Sequence, residues 1–298
     1  LTYCGGELYR CGGKSLLFKE GLEKMKERII SAVIGIAIFL VALTAKSVVF
    51  DIAIIVLTAT VIFEFYKAVG IIKEKILASS GAVGIILCPI LGFAHMSDNN
   101  LFFEIALTLI VLYIGIVFAL MVFLHETIDT KKASTAFFGA LFPSVLYSYL
   151  IALRESEYGI FLIVALFAAT WSADGGAYFA GVSFGKHLLA PKLSPKKTIE
   201  GAVGGIAGSV LAMAVYSLLL INVFSVPCKP LALLAAGLVC AVLGPLGDIA
   251  TSAVKREFGI KDYGKILPGH GGALDRFDSI LLTAPFIYIL NDILKMIG

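Results

Sequence analysis

Three aspartates and two basic segments in the last third of the chain have the types and spacing for phosphate chemistry. Asp248, Ser252 and Lys255 fall at i, i+4 and i+7, so a helix would carry a carboxylate, a hydroxyl and an ammonium on one face. Asp275 and Asp278, at i and i+3, project together if their turn is helical. The three carboxylates are expected to form an oxygen-rich site for a hard cation. Mg²⁺ binds through one or two carboxylates plus substrate phosphates, so it fits this set better than zinc, and a second metal ion is left open. His270 has none of the Cys or His partners that zinc requires.

The basic segments supply the counterpart. In S-P-K-K-T-I-E-G, from Ser194 to Gly201, Lys196 and Lys197 can neutralise phosphate oxygens, and Ser194 and Thr198 can donate hydrogen bonds. The helix start after Glu200, near Gly201, presents free backbone N–H groups to an anion. Taken alone, S-P-K-K reads equally well as a loop that only fixes topology. No GxxxxGK pattern followed by Ser or Thr is present. The second segment runs through Arg256, Lys261, Asp262, His270 and Arg276, with glycines and Pro268 that let backbone turn closely around a ligand.

These groups must be positioned by membrane-spanning helices. The 298 residues are 59% hydrophobic and 15% charged, against roughly 25% charged in a soluble domain. Nine apolar stretches are expected to cross a bilayer, at 29–45, 47–66, 76–95, 101–124, 133–153, 158–185, 201–224, 230–253 and 278–297. The expected fold is therefore an all-α polytopic integral membrane protein with a polar cavity open to the cytoplasm. The sixth stretch contains Asp174-Gly175-Gly176 and reads either as one helix or as two half-helices; a tenth crossing would reverse everything after it.

With nine spans, one side receives 20 of the Lys and Arg residues, and the other holds only Lys46, Arg154, Lys229 and Lys295. Positive residues concentrate in cytoplasmic loops, so the amino terminus and the loops 186–200 and 254–277 are expected to be cytoplasmic. Residues 1–28 read as a leader in which Met25 lies close to a natural start. Residues 29–153 read as scaffold and lipid-binding wall, where Asp51, Glu64 and Glu104 lie near span ends and reach the interface. Residues 154–298 hold the chemistry. Asp174 and Asp248, at membrane depth, are site residues by default. Gly201, Gly204, Gly205 and Gly208 have the small-residue spacing of close helix approach. The five cysteines lack a metal or disulfide framework, and no basic tract interleaved with aromatics points to nucleic acid.

The string S-A-V-K-R-E-F-G-I-K-D-Y-G-K-I-L-P-G-H-G-G-A-L-D-R-F-D, from Ser252 to Asp278, resembles the signature of the phosphatidate cytidylyltransferase family. D-G-G-A-Y-F-A-G, beginning at Asp174, and S-P-K-K-T-I-E-G resemble that family's other cytoplasmic motif, so the likeness covers about 171–278. Ala273 departs from it, where a larger aliphatic residue is usual; this bears on packing rather than on chemistry.

The resemblance implies Mg²⁺-dependent transfer of a cytidylyl group from CTP to phosphatidic acid in a bacterial inner membrane, by a homodimer. Asp248, Asp275 and Asp278 would then be metal ligands, and Lys196, Lys197, Lys255, Arg256 and Arg276 would bind phosphates. Asp174 would order a basic residue or a water, and His270 would position a phosphate. Two other readings stay open. One is a CTP-dependent polyprenol or lipid-alcohol kinase. The other is a transporter, for which buried aspartates and broken helices are also expected.

Overall fold

The structure, a computed structural model, describes residues 30–31, 33–96, 100–264, 266 and 271–298. The leader, with Cys4 and Cys11, and His270 lie outside the described residues.

Among the described residues, eight helices are long and apolar enough to cross a membrane. A shorter apolar helix, α1 (Val33–Thr44), stands where the first of nine spans was expected. Next come α2 (Ser47–Ala68), the short α3 (Lys75–Ser79) and α4 (Ala82–Ala94), with the last two together making one span. α5 (Leu101–Phe123), α6 (Thr130–Glu155) and α7 (Gly159–Phe184) follow. A two-stranded antiparallel hairpin, β1 (Leu188–Ala190) and β2 (Ser194–Thr198), leads into α8 (Ile199–Asn222), α9 (Pro230–Glu257) and α10 (Leu274–Leu294).

Local sequence accounts for several boundaries. Asp129 caps α6 by accepting from Lys132 N at 2.7 Å, and Thr198 caps α8 by accepting from Gly201 N at 3.0 Å. Pro230 opens α9, where its missing N–H costs nothing. α10 begins at Leu274, so Asp278 lies one turn inside the helix and is not its cap.

α6 is the most buried span and forms the centre of the bundle, against α2, α4, α7 and α10. Tyr66, Tyr113 and Tyr147 are fully buried around it, and Tyr66 donates to Ala136 O at 2.7 Å. α5 is exposed along most of its length, as a helix that meets lipid tails would be.

The sixth span is one unbroken helix, so no extra crossing reverses the order after it. Its glycines serve contact rather than breakage. A Cβ on Gly176 would meet Gly204 O at 2.5 Å, and one on Gly208 would meet Ser172 O at 2.8 Å, so α7 and α8 touch backbone to backbone.

Candidate functional site

The β1–β2 hairpin and the ends of α7, α8 and α9 enclose a cavity of about 550 Å³. Asp174, Ser194, Lys196, Lys197, Thr198 and Asp248 line it together with Tyr178, Gly181 and Pro245. Two motifs separated by some fifty residues thus share one space. Their link is direct: Lys197 Nζ lies 2.7 Å from Asp248 Oδ2 and donates to Pro245 O at 3.0 Å. Asp174 is within electrostatic reach of both Lys197 and Asp248, so this ammonium stands among two carboxylates and a carbonyl.

The hairpin is itself braced. Glu200 accepts from Lys186 N at 3.1 Å and His187 N at 3.2 Å, and its other oxygen pairs with His187 Nδ1 at 2.6 Å. Glu200 therefore ties the segment after α7 to the start of α8 and is absent from the cavity lining. Thr198 does line it, with its oxygen already accepting the capping bond.

On the next stretch of α9, Thr251 Oγ1 lies 3.0 Å from Asp248 O and 3.2 Å from Asp278 Oδ2, joining α9 to α10. Ser252 Oγ reaches Asp248 Oδ1 at 3.4 Å, as the helical spacing requires. Asp278 is buried and feels the charge of Asp248. Asp278 Oδ1 also accepts from Ser279 N at 2.8 Å, and Asp278 is not among the residues lining the basic cavity; carboxylate oxygens of this kind are the hard ligands that Mg²⁺ takes together with phosphates.

Asp275 is placed differently from the sequence expectation. Its Oδ1 lies 2.8 Å from Lys255 Nζ, and its Oδ2 accepts from Tyr263 N at 2.9 Å and Gly272 N at 3.0 Å. Among the described residues no group of three or more Asp, Glu, His or Cys side chains could hold a metal ion, so the three aspartates do not converge as one ligand set. The physical reason is local: backbone donors from both flanks of the α9–α10 connection point at one oxygen of Asp275, and Lys255 holds the other. Lys255 is correspondingly buried, with its ammonium 5.5 Å from the centre of the Tyr263 ring. Arg256, Lys261, Asp262 and Arg276 are exposed and do not line the cavity.

Tyr263 and Glu64 were missed. Tyr263 donates to Thr251 O at 2.8 Å, and burial, with Asp275 and Asp278 nearby, pushes its phenol up. Glu64 does not reach the interface: it is 1% exposed and accepts from Leu274 N at 3.1 Å. The faint signal for both was the glycine-rich stretch around Gly264 and Gly272, which marks close packing without naming the partner.

A second, apolar pocket of about 220 Å³ lies beside α9, walled by Phe65, Phe138, Phe142 and Leu146 and including Thr251 and Asp278. The fold and these sites together define a polytopic membrane protein whose helices gather carboxylates and lysines at one mouth, an arrangement suited to anionic phosphates.

The chain belongs to the cytidylyltransferase family, whose model matches residues 26–294. It is 34% identical over 274 residues to the phosphatidate cytidylyltransferase of Bacillus subtilis, covering 89% of this chain and 97% of that one. The enzyme of the same name from Staphylococcus haemolyticus is 31% identical over 281 residues, covering 89% and 98%. That of Thermotoga maritima is 34% identical over 182 residues, covering 61% and 67%.

Proposed function

We propose that this chain transfers the cytidylyl group of CTP to phosphatidic acid, giving CDP-diacylglycerol and pyrophosphate. The observation that carries the reading is the cavity in which the Ser194–Lys197 strand faces Asp174 and Asp248. A phosphate oxygen of the lipid attacks the α-phosphorus, the bond to the β-phosphate oxygen breaks, and pyrophosphate leaves with the electron pair. The nucleophile is already anionic near neutral pH, so relief of repulsion between two anions matters more than a general base.

In this reading Lys196 and Lys197 hold the triphosphate, and Ser194 donates to it. Asp174 and Asp248 keep Lys197 extended and oriented before CTP arrives. Asp248 and Asp278 would hold Mg²⁺, which when bound supplies charge neutralisation at the phosphates. Lys255, fixed by Asp275, keeps a positive charge beside them. The apolar pocket next to Asp278 supports entry of the acyl end from the bilayer side.

The hairpin and the connection after α9 lie at one end of the bundle, because Lys197 reaches α9 and Lys255 reaches α10. We assign that end to the cytoplasm of a bacterial plasma membrane, on the charge asymmetry, and take the homodimer from the family likeness. Cysteine-accessibility labelling in intact cells should place 186–200 and 254–277 on the same cytoplasmic side; opposite faces would overturn the arrangement.

The deciding experiment incubates purified protein with labelled CTP, Mg²⁺ and phosphatidic acid and analyses the products. CDP-diacylglycerol with pyrophosphate supports the reading. A phosphorylated lipid alcohol with CDP would instead make the chain a kinase.

A further inference from the structure

We propose that Glu64, on α2, is a positioning residue for the transfer reaction, holding the start of α10 and both described flanks of the α9–α10 connection in the geometry that presents Asp275 and Lys255. This rests on the function proposed above.

A buried carboxylate is costly unless it meets a hydrogen-bonding partner. Glu64 is 1% exposed, and its Oε2 accepts from Leu274 N, the first residue of α10. The first turn of any helix leaves N–H groups without partners inside the helix. The residue at the cap position here is Ala273, which has no side-chain acceptor. A residue 210 positions earlier therefore does the work that a local Ser, Thr or Asp would do elsewhere.

The same carboxylate is clamped between two glycines. A Cβ on Gly272 would meet Glu64 Oε2 at 2.5 Å, and one on Gly264 would collide with Oε1. Both flanks of the connection thus close on one side chain, and neither position accepts a methyl group without displacing it. Oε1 is buried between these glycines, with no hydrogen-bond partner among the described residues.

The neighbouring residue extends the contact. Phe65 stacks on Tyr263, with ring centres 6.1 Å apart and planes 23° apart. Tyr263 N and Gly272 N are the two amides that hold Asp275 Oδ2, and Asp275 Oδ1 holds Lys255. α2 therefore touches both residues whose amides orient Asp275. A shift of about 1 Å in such a support can cost on the order of 10²-fold in rate.

The test compares purified Glu64→Ala, Glu64→Gln and Gly272→Ala with the natural protein, and uses Val61→Ala, a fully buried site on the same helix, as a packing control. Glu64→Ala should lower kcat about 10- to 100-fold with KM for CTP changed less than about threefold. Amide exchange in the described residues 260–264 and 271–276 should quicken. Glu64→Gln keeps an oxygen acceptor for Leu274 N and should recover most of kcat. Gly272→Ala, which pushes the carboxylate away, should mimic Glu64→Ala, and it carries the test if Glu64→Ala does not fold. Val61→Ala should lower thermal stability without a comparable fall in kcat.

The inference is overturned if Glu64→Ala and Gly272→Ala keep kcat within about twofold, if Glu64→Gln is as impaired as Glu64→Ala, or if Val61→Ala loses kcat in the same proportion to its stability. If the natural protein makes no CDP-diacylglycerol, the proposed function fails first, and the exchange measurement still reports whether Glu64 holds the connection.

Discussion

Lys255 Nζ and Asp275 Oδ1 lie 2.8 Å apart with their side chains only 11% and 5% exposed, making a buried ion pair between the C-terminal end of α9 and the first turn of α10. In a shielded pair each charge depends on the other, and removing one partner leaves the second uncompensated. The two Tyr263 and Gly272 amides hold the second oxygen of Asp275, so the carboxylate has little capacity left for a cation. In the function proposed above, Asp275 therefore acts on the reaction through Lys255.

Asp275→Asn should accordingly lose about 10²-fold in product formation and also lose thermal stability, since a broken buried pair costs on the order of 3–5 kcal/mol. Raising Mg²⁺ should not restore turnover. Recovery at high Mg²⁺ in a normally stable variant would return Asp275 to the metal site.

Lys197 and Lys196 should separate in their effects. Lys197 spans Asp248 and Pro245 O, whereas Lys196 lines the same cavity from an exposed position on β2. Lys197→Ala should raise KM for CTP and lower kcat, because it removes a phosphate ligand and frees Asp248. Lys196→Ala should mainly raise KM. Steady-state kinetics over a CTP series distinguishes the two, and unchanged kinetics in both variants would leave the hairpin with a topological role.

Much of this site was legible because its residues sit in contiguous motifs. The spacing of Asp248, Ser252 and Lys255 follows from helical periodicity, and α9 is a helix through all three. The basic hairpin around Ser194–Thr198 was legible for the same reason. Glu64 was not, because its partner is the backbone amide of Leu274, and a backbone donor leaves no residue type to recognise. Asp275 shows a related limit: i, i+3 spacing says that two carboxylates can share a face, but not that backbone amides already donate to one of them. The unbroken α7 shows a third limit, since Asp174-Gly175-Gly176 reads either as one helix or as two half-helices, whereas Gly176 serves as a contact surface for α8.

His95, just past the end of α4, offers a pH test away from the cavity. It stacks on Tyr149 with ring centres 4.2 Å apart and lies against Tyr288, and burial lowers its pKa below the ordinary 6.5. The unfolded chain then takes up a proton before the folded one does, so stability present above pH 6.5 is lost as pH falls through the folded pKa. Thermal midpoints of the detergent-purified protein should drop between pH 7.5 and 5.5, and His95→Gln, although less stable throughout, should show a smaller drop. An equal drop in both would remove His95 as its source.

The last prediction concerns Gly204, where α8 crosses α7. A Cβ there would run into Ala180, and it would also lie 2.8 Å from Gly176 O, so the two helices are as close as their backbones allow. The β-hairpin joins these same helices, and Thr198 at the foot of α8 carries the strand that bears Lys196 and Lys197. Separating α7 from α8 should therefore move the hairpin away from Asp248 on α9. Gly204→Leu inserts a side chain with no space to enter, which in a packed interior costs about 1–3 kcal/mol or more. The expected result is a lowered thermal midpoint together with a raised KM for CTP, because the hairpin shifts with the helix. Gly175 is a matched control, since a Cβ there meets nothing within 4 Å, and Gly175→Ala should leave stability and KM close to those of the natural protein. A stable Gly204→Leu protein with ordinary KM would mean that the hairpin is placed by Glu200 and Lys197 rather than by the contact between the helices.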